Sequence, residues 1–379
     1  MQQFGIADHE DDLPISQPRS LGHAVLAIGI FLLTFTGTCF GFHFLLPALP
    51  TTDPILLRKL DHFAAHKDDY DVLFFGSSQI YRDFVPKIFD REMATHGRNT
   101  HSFNFGIGGM RPHETNQLIR QILDMNPQNL KYAFVELGTW DPTMPERNQF
   151  TTRVVAWHTP EETPSILRTL WRADMSLRSR WDHLYDHARH SLANYFRIGE
   201  GQRYLRFWTG ARDSIRYDRD TPHAIEEEGF VGHEEAPAGR GQLASRSAFL
   251  KDPRQYERLV KVLVRDRFEE ANLDHYNFQA VADQVQRFRE HHVEPIYVVP
   301  PHVATFPEKR ALLRQKIAPA IFAFNDPAQY PSLYDVQRRF DLEHLLAEGA
   351  EIFTRLLAEQ FARYLDDQTK NHEPRHSLP

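Results

Sequence analysis

The chain reads as an α/β domain, a parallel sheet flanked by helices, preceded by one N-terminal transmembrane helix. Three observations predict this. Three strand-then-helix units follow one another between Asp69 and Gly138, and such a run builds a parallel sheet covered by helices. The same alternation resumes from about Ala280 to the last helix-like stretch. The segment from Ala24 to Leu46 contains no Asp, Glu, Lys or Arg, and an apolar run of about 20 residues is what a helix needs to cross a bilayer.

The chain divides into an N-terminal tail at 1–20, an anchor at 21–50 and a domain at 51–379. The apolar run is longer than the core of a cleaved signal peptide, and no small-x-small cleavage site follows it. Arg19 before the span and Arg58 and Lys59 after it do not decide its direction. A lone N-terminal span that serves as a signal anchor leaves the N-terminus in the cytoplasm. The expectation is a single-pass protein of the inner (cytoplasmic) membrane with its domain exported.

In the domain, "DVLFFGSS" reads as a buried strand breaking into a polar turn at Gly76, Ser77 and Ser78. "VPKIFDREMATHG" fits a helix stopped by Gly97, and "SFNFGIGG" is a short strand ending in glycines. "PHETNQLIRQILDMN" opens with Pro112 and Glu114 in a first turn and carries Leu118, Ile119, Ile122 and Leu123 at helical spacing. "YAFVELG" is a third strand. Near the end "AVADQVQRFREHH" is a helix, "PIYVVPP" a strand and "EGAEIFTRLLAEQFARYL" an amphipathic helix. Between about 140 and 276 the pattern dissolves into a segment rich in Arg, Trp, Tyr and His, containing the loop-like "EEEGFVGHEEAPAGRGQ". This reads as a mostly helical insertion.

Composition narrows the function. With 379 residues, 41% of them hydrophobic, the chain can bury a full core, and its net charge of −7 argues against nucleic acid as a partner. One cysteine, Cys39, excludes an internal disulfide framework.

The serine turn is the first candidate for chemistry. In an open α/β sheet ligands bind at the carboxyl ends of the strands, where Ser78 would sit beside a helix start. A strand-to-helix cap made of ordinary turn residues is the competing reading. "RRFDLEHLLAEGA" supplies Asp341 and His344 three residues apart, so the carboxylate can hold one ring nitrogen while the other faces a serine. The same spacing recurs at Asp220 and His223 in the insertion, read as a chance match on a loop.

With these blocks in place, the chain resembles the SGNH hydrolases of the GDSL superfamily. Gly76, Ser77 and Ser78 match the family's Gly-Asp-Ser, with Ser77 in the aspartate's place. Asn104, Gly106 and Gly109 match its Asn-x-Gly-x-x-Gly. Asp341 and His344 match its Asp-x-x-His, and at Gly138-Thr139-Trp140-Asp141 tryptophan replaces the asparagine donor. The resemblance spans about 69–138 and from about 280 to the last helix, leaving the insertion outside it. It implies an SGNH-hydrolase-like, flavodoxin-like three-layer fold with Ser78, Asp341 and His344 catalytic. Ser78, Gly109 and Trp140 would form the oxyanion hole, and no cofactor is implied. With the single span, it looks most like membrane-anchored members that act in cell-envelope polysaccharide O-acetylation beside a multi-span membrane-bound O-acyltransferase.

Three functions are therefore expected in competition. One is serine-dependent acyl transfer to, or removal from, an envelope polysaccharide. The others are a membrane-tethered lipase or thioesterase, and a non-catalytic partner of a membrane acyltransferase. Asn104 and Arg82 are candidate substrate contacts, Arg82 toward an anionic group or else in a surface ion pair. Glu136, inside the third strand, reads as the partner of an arginine. His183 and His187 have a spacing that would serve a metal, but without a completing carboxylate or cysteine the expectation is no metal and a solvated helix face.

Overall fold

A computed structural model describes residues 21–46, 53–144, 151–209, 220–233, 240–265, 275–303 and 308–372. The chain forms two units, 1–48 and 49–379. The first contains helix α1, Leu21–Leu45, whose 25 residues reach roughly 37 Å at ~1.5 Å per residue, enough for a hydrocarbon core of about 30 Å. Among the described residues it is the one helix long and apolar enough to cross a membrane. Its large side chains, Val25, Phe31, Leu33 and Phe35 among them, are exposed. The core helix of a soluble protein is mostly buried instead.

The second unit is an α/β domain around one five-stranded parallel sheet. Its strands are β1 Val72–Phe75, β2 Ser102–Asn104, β3 Tyr132–Glu136, β4 Glu294–Val299 and β5 Ala320–Ala323, in spatial order β2-β1-β3-β4-β5. This is the doubly wound order in which the chain starts at a central strand and works outward both ways. Helices α2 Pro54–His66, α3 Ser78–Asp83, α4 Pro86–Thr95 and α5 Pro112–Asp124 belong to the first half. Helices α6 Thr152–Trp157, α7 Thr163–Arg172, α8 Leu177–Tyr195, α9 Gly201–Thr209, α10 Asp220–Glu226, α11 Arg240–Lys251 and α12 Arg254–Arg265 make up the insertion. Helices α13 His275–Glu290, α14 Glu308–Arg314 and α15 Ala347–His372 complete the domain.

The side-chain period of two decides which core each strand residue enters. Leu73 and Phe75 of β1 face one layer with Ala133, Val135, Ile119, Ile122 and Phe288, under α2, α5 and α13. Val72 and Phe74 face the other with Phe134, Phe353, Leu357 and Phe361, under α4 and α15. All four residues of β1 are inaccessible to solvent, as a central parallel strand covered on both faces requires. Phe74 stacks on Phe134 at 4.5 Å between centroids, and Phe361 meets Phe134 edge-on at 5.0 Å. Gly97 stops α4 at φ +72°, the left-handed residue past a helix end that glycine adopts without cost.

The described residues of the insertion are mostly helical, and they are bound to the domain by buried polar contacts. Glu162 accepts from Asn116 of α5 at 2.8 and 2.9 Å and from Arg120 at 2.8 Å. The Glu228 carbonyl accepts from Asn104 N–H at 2.9 Å, covering the outer edge of β2. Asp220 and His223, expected on a loop, lie on α10, and His223 stands 3.9 Å from Glu226. The anchor tail at 1–20 lies outside the described residues, as do parts of the loop-like segment around 234–239.

Candidate active site

The loops leaving the carboxyl ends of β1, β2 and β4 converge with the stretch 339–345. Ser77 caps α3, its hydroxyl accepting from Gln79 N–H at 3.3 Å, and α3 begins at Ser78. The turn is fixed from below by Glu136 at the end of β3, which accepts from Ser77 N–H at 2.6 Å and from Ser77 Oγ–H at 3.0 Å. Burial pushes the Glu136 carboxyl up, against those two hydrogen bonds. The arginine partner expected for Glu136 is thus replaced by the serine turn itself. Gly76 is required here: a Cβ would stand 2.5 Å from both Glu136 Oε2 and Ile80 Cγ1.

Asp341 and His344 sit in a narrow loop closed by Phe340 N–H to His344 O at 2.9 Å and Leu346 N–H to Arg338 O at 2.8 Å. Asp341 Oδ1 accepts from the backbone N–H of Glu343 at 2.8 Å and of His344 at 2.9 Å. The same carboxylate lies 2.9 and 3.1 Å from His344 Nδ1. With that proton held by Asp341, His344 Nε2 is left to accept from Ser78 Oγ–H at 2.8 Å. Ser78, Asp341 and His344 are therefore brought into one hydrogen-bonded chain.

Electrostatics follow the geometry. Burial works to raise Asp341, but its bond to His344 and the two backbone N–H groups win and hold it well below the usual carboxylate range. Burial works to lower His344, and the bond to Asp341 with the nearby charge of Asp83 overcomes it, so the imidazole ends above its ordinary value. A base of this kind removes a hydroxyl proton and returns it.

Three residues that build this site carried no signal in the sequence. Asp83, inaccessible at the end of α3, accepts from Leu345 N–H at 3.0 Å, and Gln79 of the same helix donates to Glu343 O at 3.3 Å. The helix that carries Ser78 thereby holds the loop that carries His344. Burial raises Asp83 to about 7. Arg339, also inaccessible, donates to the carbonyls of Pro301 at 3.0 Å, Leu333 at 3.1 Å and Leu342 at 3.0 Å, fastening the loop to the end of β4. Lys59 of α2 is the third: its buried ammonium donates to the carbonyls of Asn104 and Gly106, each at 2.8 Å, and burial lowers its pKa well below the ordinary range.

The glycine turn after β2 is shaped the same way. Ile107 N–H donates to Gly76 O at 3.1 Å, which ties this turn to the serine turn, and Gly109 adopts φ +69° on the exposed side. Gly106 packs so closely that a Cβ would lie 2.3 Å from Tyr81 N. Asn104, expected at a substrate, is inaccessible: its amide donates to Ile80 O and Phe84 O at 2.7 and 2.9 Å and accepts from Gly106 N–H at 2.7 Å. It holds the turn, a supporting role in place of the ligand contact. Arg82 likewise donates to Val231 O at 3.0 Å and Gly232 O at 3.3 Å and lies over the Tyr81 ring. It pins the insertion beside the site.

Trp140 is 4% exposed; its ring meets His113 edge-on at 4.9 Å and packs on Ala280 of α13. His187, expected on a solvated face, is buried, bonded to Pro142 O at 2.7 Å and to His158 at 2.9 Å. Among the described residues no group of three or more His, Cys, Asp or Glu side chains is placed to hold a metal ion. The insertion reaches the site from a second side, where Arg153 of α6 donates to Gly108 O at 2.9 Å and pairs with Glu114. No family model matches this chain, and no curated protein matches it.

Proposed function

We propose that the protein is an SGNH-type serine acyltransferase or esterase, anchored by one span in the inner membrane with its domain exported, acting on the acyl (acetyl) groups of an envelope polysaccharide. The single observation that carries the reading is the chain Ser78 Oγ, His344 Nε2, His344 Nδ1 and Asp341, closed at 2.8 and 2.9 Å. A fold kept only as a scaffold for a membrane acyltransferase has no need of that alignment.

In the proposed reaction His344 takes the Ser78 proton as Oγ attacks the acyl carbonyl, and Asp341 stabilises the imidazolium. The carbonyl oxygen gathers negative charge, which the N–H groups of Ser78 and Gly109 would meet; one such donor is worth about 10² to 10³ in rate. The leaving alcohol departs with the proton from His344, giving an ester on Ser78. A second alcohol or water then gives its proton to His344, attacks the ester, and releases Ser78 as Oγ recovers that proton.

The test uses Ser78→Ala, His344→Ala and the double variant at equal protein level, with envelope polysaccharide acetylation in cells and fluorophosphonate labelling of Ser78 as readouts. Each single variant is expected to abolish labelling and to change acetylation, a loss where the enzyme transfers the acyl group and a rise where it removes it, and the double variant to be no worse than either, because the members of one unit are not additive. Acetylation at the wild-type level in the Ser78→Ala strain overturns the enzymatic reading.

A further inference from the structure

The insertion delivers one more histidine to the catalytic imidazole. His233 stacks on Phe340 with ring centroids 4.2 Å apart and planes within 8°, and it meets His344 edge-on at 4.8 Å. It is 8% exposed, and neither of its ring nitrogens has a hydrogen-bond partner among the described residues. Its backbone approach is set by Arg82, which holds the carbonyls of the two preceding residues. A buried polar side chain without a partner is the exception in folded proteins, because its lost hydration is recovered only through a hydrogen bond.

From this juxtaposition we infer that His233 is the seat for a hydroxyl group of a polyhydroxylated acyl acceptor, a neighbour of the hydroxyl that attacks the ester on Ser78. The inference rests on the serine acyl-transfer reading and deepens it. The attacking hydroxyl must lie at His344 Nε2 to give up its proton, and the His233 ring meets that imidazole with centroids 4.8 Å apart. Burial, with the charges of His344 and Arg82, lowers the His233 pKa to about 3, so the ring is neutral. A neutral imidazole offers one N–H and one lone pair. That pair complements a hydroxyl, which accepts and donates, and does not suit a phosphate or carboxylate, which calls for a cation. His233 exchanges no proton in the reaction: the acceptor oxygen bonds to the acyl carbon, its proton passes to His344 and then to Ser78 Oγ, and the ester bond to Ser78 breaks. His233 only orients the acceptor against competing water.

The experiment uses the full chain in detergent, p-nitrophenyl acetate as acyl donor, and glycerol, glucose and a glucan oligosaccharide as acceptors. Acetylated polyol and free acetate are quantified by mass spectrometry for the wild type, His233→Phe and His233→Gln, with fluorophosphonate labelling of Ser78 alongside. Phenylalanine keeps the ring stack and removes both polar atoms; glutamine loses the stack and restores a donor and an acceptor. The expected result is at least a tenfold fall in the ratio of acetylated polyol to acetate for His233→Phe, with Ser78 still labelled, a higher KM for the polyol, and partial recovery in His233→Gln. The inference is overturned if the ratio in His233→Phe equals that of the wild type, or if phenylalanine preserves it better than glutamine, the order a packing role predicts. A wild type that transfers to none of the three polyols also overturns it while leaving the serine chemistry standing. Absence of labelling in the wild type removes the acyl-transfer reading itself and this inference with it.

Discussion

Replacing Asp83 by asparagine tests how the helix that carries Ser78 is joined to the loop that carries His344. The carboxyl is inaccessible, one oxygen accepts from Leu345 N–H at 3.0 Å and the other has no partner among the described residues. Burial lifts its pKa from 3.8 to about 7. A group raised in the folded state stabilises the fold relative to its ionised form below the unfolded value, and that contribution is lost as pH rises through the folded value. At ~1.4 kcal/mol per decade, keeping Asp83 buried costs about 2 kcal/mol at pH 5 and about 4 kcal/mol at pH 8. Asparagine preserves the acceptor for Leu345 and cannot ionise, so its own cost is constant with pH. Urea unfolding of the detergent-solubilised chain, followed by tryptophan fluorescence, should show Asp83→Asn gaining roughly 2 kcal/mol on the wild type between pH 5 and pH 8. A difference between the two proteins that stays flat within about 0.5 kcal/mol over that range refutes the reasoning.

Four other outcomes are expected. Because His344 must be neutral to take the Ser78 proton and its pKa lies above 6.5, the turnover of a small acetyl ester should rise with pH along a limb centred above that value; a limb centred below it contradicts the assignment. Arg339→Met leaves the carbonyls of Pro301, Leu333 and Leu342 without their donor and should cost about 3 kcal/mol or more in urea unfolding. Gly229 has φ +92° and a Cβ there would stand 2.1 Å from Asn104 O, so Gly229→Ala should lower the thermal midpoint, and an unchanged midpoint shows that the β2 edge contact is dispensable. A reporter that matures only outside the cytoplasm, fused after Pro379, should be active; activity of a cytoplasm-only reporter in the same place reverses the proposed orientation.

Strands β1, β3 and β4 were legible because each is a run of apolar or β-branched residues long enough to stand out, and each ends at a glycine or proline. β5, Ala320–Ala323, was not: two of its four residues are alanine, which carries no strand preference, and it forms because β4 offers an open edge. Ser78, Asp341 and His344 could be found because side chains of distinctive chemistry act on one another. Lys59, Asp83 and Arg339 could not, since they act on backbone groups that every residue supplies, and no sequence spacing marks a carbonyl 45 positions away. Glu136 shows the intermediate case. A buried charge in a strand was evident, but the partner turned out to be the turn of Ser77, where an arginine was expected.

Ser78 and His344 are 266 positions apart, and the loop bearing His344 is fastened to the end of β4 and to α3 before α15 begins. A chain emerging from its amino end therefore exposes the serine long before its base exists. Until the carboxyl-proximal third has threaded into place, Ser78 is an ordinary alcohol, weak at its free pKa. Closing so long a loop is slow in the way all distant pairings are slow. On the proposed orientation the interval falls during passage through the membrane, so the proposed reactivity would switch on only after translocation is nearly complete, and the folding order itself would keep the hydroxyl silent among acyl esters met on the way.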